Sequence, residues 1–199
     1  MKKFSLLLAM LMLASLMLTA CGQSASSSAA SESAPAESTS EPAEEDEENY
    51  ETGDASLDDP RNGDEIGEKE LLVVSFGTSF NDSRRLTIGA VEGALEKAFP
   101  EYSVRRGFTS QIIIDHVAKR DGEIIDNMQE ALDRAVNNGV KTLVVQPTHL
   151  MNGLEYEEMS EAIAQYSDAF EQVSIGQPLL TSDEDFQAVA KAITEATAD

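Results

Sequence analysis

Residues 144–157 read Val-Val-Gln-Pro-Thr-His-Leu-Met-Asn-Gly-Leu-Glu-Tyr-Glu and set an imidazole, His149, and a carboxylate, Glu155, just past the end of an expected β-strand. In open α/β folds ligands bind outside the carboxyl ends of the strands. An imidazole and a carboxylate in that place suit two kinds of chemistry, the holding of a divalent metal or the movement of protons. Histidine titrates near neutrality and ligates metals. Glu155 also has a structural reading, because it opens the next helix and a carboxylate there complements the helix dipole.

Two further loops carry small polar residues. Ser75, Gly77, Thr78 and Ser79 follow the first expected strand. They suit either a loop that approaches a ligand closely and donates hydrogen bonds, or an ordinary turn with Asn81 or Asp82 capping the helix. No Gly-Lys-Ser/Thr follows, so the segment is not a P-loop. Thr109 and Ser110 follow the second strand as ligand-facing hydroxyls or as an N-cap. Arg105 and Arg106 precede them on a strand and point to opposite faces, so at most one faces a site and the other is expected at the surface. His116 is expected half-exposed on the helix that follows.

The elements that must position these residues alternate. Residues 71–76 form a continuous apolar run, as in a strand buried on both faces. Further strands are expected at 102–107, 141–146 and 172–175, and helices at 83–98, 109–119, 126–137, 155–170 and 182–196. Pro100 stops the first helix, Gly139 closes the third, and Ser182 N-caps the last with Asp185 close to the capping-box position. Strands alternating with helices imply an α/β fold: a four-stranded parallel sheet flanked by helices, a flavodoxin-like half-unit. This lobe is expected over 66–199.

The first residues belong to something else. Lys2 and Lys3 precede an apolar stretch over 4–18, and Leu18-Thr19-Ala20-Cys21 ends it with small residues before a cysteine. The apolar run is shorter than the roughly 20 residues of a membrane span. Residues 1–21 therefore read as a bacterial lipoprotein signal with lipidation at Cys21, and the protein as exported and held to the cell membrane by its lipid anchor. Cys21 is the one cysteine in the sequence, which excludes an intrachain disulfide and a cysteine-based zinc site. Residues 22–65 are Ser/Ala/Pro-rich, then acidic, and are expected to be a disordered linker that the fold does not need. Much of the net charge of -23 lies there, and the remainder is still acidic, which argues against nucleic acid as a partner.

Together these segments resemble the anaerobic-type sirohydrochlorin cobaltochelatases, the class II tetrapyrrole chelatases. The resemblance rests on Leu72-Val-Val-Ser-Phe-Gly-Thr-Ser79, Phe108-Thr-Ser110, Arg120-Asp-Gly122, Gln146 through His149 to Asn152-Gly153 and Glu155-Tyr156-Glu157, and Gly176-Gln-Pro-Leu-Leu180. The family has two similar α/β lobes with the tetrapyrrole between them, and this chain resembles the first. The resemblance implies insertion of a divalent metal as substrate, cobalt or else iron, into sirohydrochlorin or another porphyrin-like ring. It implies no nucleotide or redox cofactor. Glu155 matches a site glutamate and His149 a neighbouring position, so both are implied as catalytic and metal-binding. Ser75, Gly77, Thr78, Ser79, Thr109 and Ser110 are implied as substrate-lining. The family's main metal-binding histidines lie in its second lobe, which implies that activity here requires a second lobe or a homodimer. The alternative is a surface lipoprotein that binds metal, tetrapyrrole or haem without catalysis.

Overall fold

A computed structural model describes residues 51–64 and 66–198. The proposed signal, Cys21 and the linker up to residue 50 lie outside the described residues. Among the described residues no helix is long and apolar enough to cross a membrane.

Four strands, β1 (Lys69–Ser75), β2 (Ser103–Phe108), β3 (Thr142–Pro147) and β4 (Gln172–Ile175), form one parallel sheet in the order β2-β1-β3-β4. The α/β architecture is the one expected. The central place of β1 explains its apolar run: it has a strand on either side and a covered face above and below. On one face, Leu72, Val74, Leu143 and Val145 pack with Ala131, Leu132 and Ala135 of α4 (Met128–Asn137) and Met159 and Ile163 of α5 (Leu154–Gln165). On the other, Leu71, Val73 and Val104 meet Leu95 of α2 (Gly89–Ala98). Phe108 continues that face against Ile114 and Val117 of α3 (Gln111–Asp121).

Local signals set most helix ends. Asn127 and Glu130 make the capping box that opens α4, and Ser182 and Asp185 the one that opens α6 (Asp183–Ala196). Gly122 (φ 70°) and Gly139 (φ 74°) take the left-handed conformation just past α3 and α4. The helix expected over 155–170 is shorter: α5 stops at Gln165 and a 3-10 turn, Ser167–Ala169, leads to β4. The first helix is not uniform. After α1 (Asn81–Ser83) comes a π-helical turn, Arg84–Ile88, and then α2. Neither Asn81 nor Asp82 caps it, because Phe80 holds the N-cap position without a side-chain bond.

Two expectations need correction. Residues 51–64, expected inside a disordered linker, lie as a strap along the domain. The Thr52 and Gly53 carbonyls accept from Asp82 N (2.9 Å) and Asn81 Nδ2 (3.1 Å). The Arg61 carbonyl accepts from the backbone N–H of Arg106 on edge strand β2 (3.2 Å) and from Arg105 Nε (2.8 Å). Asp58 pairs with both Arg84 (2.6 Å) and Arg106 (2.7 Å). The expectation failed because it counted aliphatic side chains, and this segment is held by carbonyls and carboxylates instead. Nor is either strand arginine at the surface: Arg105 and Arg106 are both buried, one on each face of the sheet. Arg106 is gripped by Asp58 and by the fully buried Glu92 (2.7 Å). Burial pushes the Asp58 carboxyl up, but the guanidiniums of Arg106 and Arg84 more than offset this and hold it below the usual range.

Glu70, buried in β1, has no such grip; its Oε2 lacks a hydrogen-bond partner. Burial raises its pKa from 4.5 to about 7, against the attraction of Arg105. A folded-state pKa raised above the unfolded one means that stability is full below pH 4.5 and declines as the pH rises through 7. The size is on the order of 3 kcal/mol. Glu70→Gln is expected to flatten that decline and to be the more stable protein at pH 8. Parallel urea-unfolding curves from pH 4.5 to 8 check this, and equal pH slopes in the two proteins would refute it.

Candidate functional site

The strand registers bring the loops of interest side by side. Ser75 stands opposite Phe108, and Val74 opposite Pro147, so β1, β2 and β3 end nearly flush. The chain leaves β1 on the way to β2 and leaves β3 on the way to β4, which makes the β1/β3 boundary the point where the strand order reverses. Ligands in open α/β sheets bind at such a point.

Two hydrogen bonds join the loops there. Thr148 N donates to the Val74 carbonyl (2.8 Å), and Thr148 Oγ1 donates to Ser75 Oγ (2.8 Å). Ser75 is thus buried and spent on its neighbour, and it positions the β3 loop rather than facing solvent. Thr148 was missed by sequence reasoning; its place beside His149 was the available signal. From the other side, Leu179 N donates to the His149 carbonyl (3.0 Å) and Leu180 N to the Leu150 carbonyl (2.7 Å). The segment after β4 therefore clamps the His149 loop.

His149 is half-buried, and both ring nitrogens are shielded without a hydrogen-bond partner. An unpartnered buried polar group costs about 1–3 kcal/mol, and such exceptions ask for a reason. Burial lowers the pKa of His149, opposed by the carboxylate of Glu155. The imidazole is therefore neutral at pH 7, the form that ligates a metal or accepts a proton. Glu155 lies exposed in the first turn of α5, after Gly153 at the N-cap. The structure brings the two residues into electrostatic range. Among the described residues no three His, Cys, Asp or Glu side chains gather as a metal site.

The remaining candidates divide. Gly77 has φ 101°, and a Cβ there would lie 2.5 Å from the Phe108 ring, so its glycine has a structural reason. Thr78 Oγ1 accepts from Phe80 N (3.2 Å), inside its own turn. The Ser79 carbonyl accepts from Arg120 (2.6 Å), which places the Arg120-Asp-Gly122 segment beneath this loop. Ser110 holds the N-cap position of α3 but makes no capping bond, and Thr109 Oγ1 has no partner. The capping role that was one reading of these hydroxyls is not used. His116 is half-buried on α3, as expected.

Around the site the loops expose apolar side chains that sequence reasoning did not single out: Phe76 (51% exposed), Phe80, Leu150, Met151, Leu154 and Leu179. Apolar residues in loops were the signal. With His149 and Glu155 they share the C-terminal edge of the sheet as an apolar rim, which suits contact with the face of a flat ring.

Comparison with known proteins points the same way. Residues 69–199 match the model of a family described as cobalt chelatase (CbiK). Over 127 residues the chain is 35% identical to the sirohydrochlorin cobaltochelatase of Salmonella typhimurium, a stretch that covers 64% of this chain and 48% of that protein. The chain thus spans about half the length of this curated relative.

Proposed function

The chain belongs to the cobalt chelatase (CbiK) family, and from that premise we propose that it forms one lobe of a site that inserts a divalent metal, Co2+ or Fe2+, into a tetrapyrrole such as sirohydrochlorin. The observation that carries this reading is the neutral, half-buried imidazole of His149 with both nitrogens unpartnered, held in range of the Glu155 carboxylate. Insertion requires the ring to lose two pyrrole protons as the ion enters. His149 offers a lone pair to the incoming ion or to a pyrrole proton. Glu155, open to solvent, delivers the ion and takes a proton from the ring face. The apolar rim receives the macrocycle. A second lobe or a dimer partner covers the opposite face of the ring and supplies further donors to the ion.

The test follows Co2+ insertion into sirohydrochlorin by absorbance, with Co2+ and ring binding titrated separately. Glu155→Ala is expected to slow insertion about a hundredfold or more. His149→Ala is expected to weaken Co2+ binding about tenfold or more. Because the imidazole pKa is lowered, Co2+ binding persists below pH 6.5 and fails only under more acid conditions. Variants that match the wild type in every assay would remove both residues from the site. Binding without turnover would favour a non-catalytic metal- or tetrapyrrole-binding lipoprotein.

The Lys2-Lys3 start and Leu18-Thr19-Ala20-Cys21 support the further proposal of export and lipidation at Cys21. Mass spectrometry of membrane-extracted protein is expected to find an acylated Cys21 at the N-terminus; an intact Met1 on a soluble product would end this proposal.

A further inference from the structure

We infer that the strap, residues 51–64, is a positioning element for the loop after β1, and that it acts through Asp58 and Arg84. The role assigned to the loop rests on the tetrapyrrole reading above; the coupling of strap to loop does not.

The path is continuous. Asp58 Oδ2 accepts from Arg84 Nε at 2.6 Å. Arg84 is fully buried in the π-helical turn, and its fork reaches three more partners. Nη1 donates to the Thr78 carbonyl (3.3 Å), and Nη2 to Asn81 Oδ1 (2.9 Å) and Glu123 Oε2 (2.8 Å). Asn81 Oδ1 also accepts from Arg120 Nη2 (3.1 Å), which in turn donates to the Ser79 carbonyl (2.6 Å). The strap closes the circuit again at Gly53, whose carbonyl accepts from Asn81 Nδ2 (3.1 Å). Consecutive carbonyls of the loop, Thr78 and Ser79, are thus held from beneath by guanidiniums. The orientation of one guanidinium is set by a carboxylate outside the family match, which begins at residue 69.

Geometry makes Asp58 more than a counterion. A guanidinium is a planar fork, so fixing Nε fixes the directions of Nη1 and Nη2. Loss of the Asp58 contact frees the plane to rotate toward Glu123, and the Thr78 carbonyl loses its donor. The loop carries Phe76 and Phe80, both about half exposed, at the rim that would receive the macrocycle. His149 is tied to the sheet by Thr148 and to the segment after β4, not by the strap. Release of the strap should therefore disturb ring binding and spare metal binding.

The experiment uses the full chain with Asp58→Asn and Asp58→Glu. Amide hydrogen exchange over 77–80 is compared with that of β3 and α4, and sirohydrochlorin and Co2+ are titrated singly. Asp58→Asn is expected to speed exchange over 77–80 about tenfold or more beyond any change in β3 and α4. It should weaken sirohydrochlorin binding about fivefold and leave Co2+ binding unchanged, with Asp58→Glu recovering part of the loss. Unchanged exchange over 77–80 would overturn the inference, and so would equal acceleration across β3 and α4, the mark of a merely structural role. Should Asp58→Asn fail to fold, Asp58→Glu, which keeps the charge but shifts the oxygens by a methylene, carries the same comparison. If wild-type protein binds no sirohydrochlorin, the tetrapyrrole reading falls and the exchange data alone decide the coupling of strap to loop.

Discussion

A chain that begins at Ile66 melts on the order of 10 °C below one that begins at Glu51. Removal of the strap takes away Asp58, which both Arg84 and Arg106 share, and Asp64, which pairs with Arg134 at 2.9 Å. It also removes the Arg61 and Gly63 carbonyls that accept from buried Arg105. Breaking a buried ion pair from one side costs about 3–5 kcal/mol, because the remaining charge stays desolvated. Glu92 and Glu123 remain as partners for Arg106 and Arg84, which keeps the loss toward the lower end. At about 2–4 °C per kcal/mol for a domain of this size, the shift is on the order of 10 °C. Edge strand β2 also regains an unpaired N–H at Arg106, so the shortened chain should aggregate more readily on heating. Calorimetry of the two chains at one pH and concentration decides the matter. Coincident melts would show that the strap contributes nothing to the fold.

Gly77→Val is expected to destabilise the protein by about 2–5 kcal/mol, the sum of two separable effects. The backbone at Gly77 has φ 101°, a region closed to β-branched residues. The new Cβ would also lie 2.5 Å from Cδ2 of Phe108, a fully buried ring packed with Ile114, Val117 and Ile125. Gly77→Ala carries the same Cβ with less bulk and should fall between the two. Urea unfolding at constant m-value measures the loss. A valine variant within about 0.5 kcal/mol of wild type would show that the ring steps aside at no cost. The same substitution is expected to move the Ser75–Phe80 loop, so any loss of tetrapyrrole binding in it should be read only alongside the stability data.

What was legible in the sequence was mostly local. The apolar run Leu71-Leu72-Val73-Val74 announces a strand covered on both faces, whatever covers it. Ser182 with Asp185, and the glycine at 139, act through bonds and dihedral angles within a few residues, and they stand where the helices begin and end. Period and punctuation were enough for the parallel α/β fold and for the place of His149 and Glu155 at the end of β3. The π-helical turn was not legible, because its sequence reads as ordinary amphipathic helix while its geometry serves the burial of Arg84.

The strap and the site's finer wiring were decided by tertiary structure alone. Asp58 meets Arg106 across 48 residues of sequence, and Thr148 meets Ser75 across 73. No periodicity encodes such pairs, since each depends on how segments distant in sequence pack together. Charge gave the opposite impression: an acidic, aliphatic-poor segment reads as solvated, and two adjacent arginines on a strand read as one inside and one outside. Buried guanidiniums reverse both readings, because desolvated positive charge makes carboxylates and carbonyls, not aliphatics, the groups that hold a segment down. Likewise the sequence shows a histidine at the end of a strand, but only the tertiary structure leaves that imidazole shielded, neutral and without a partner.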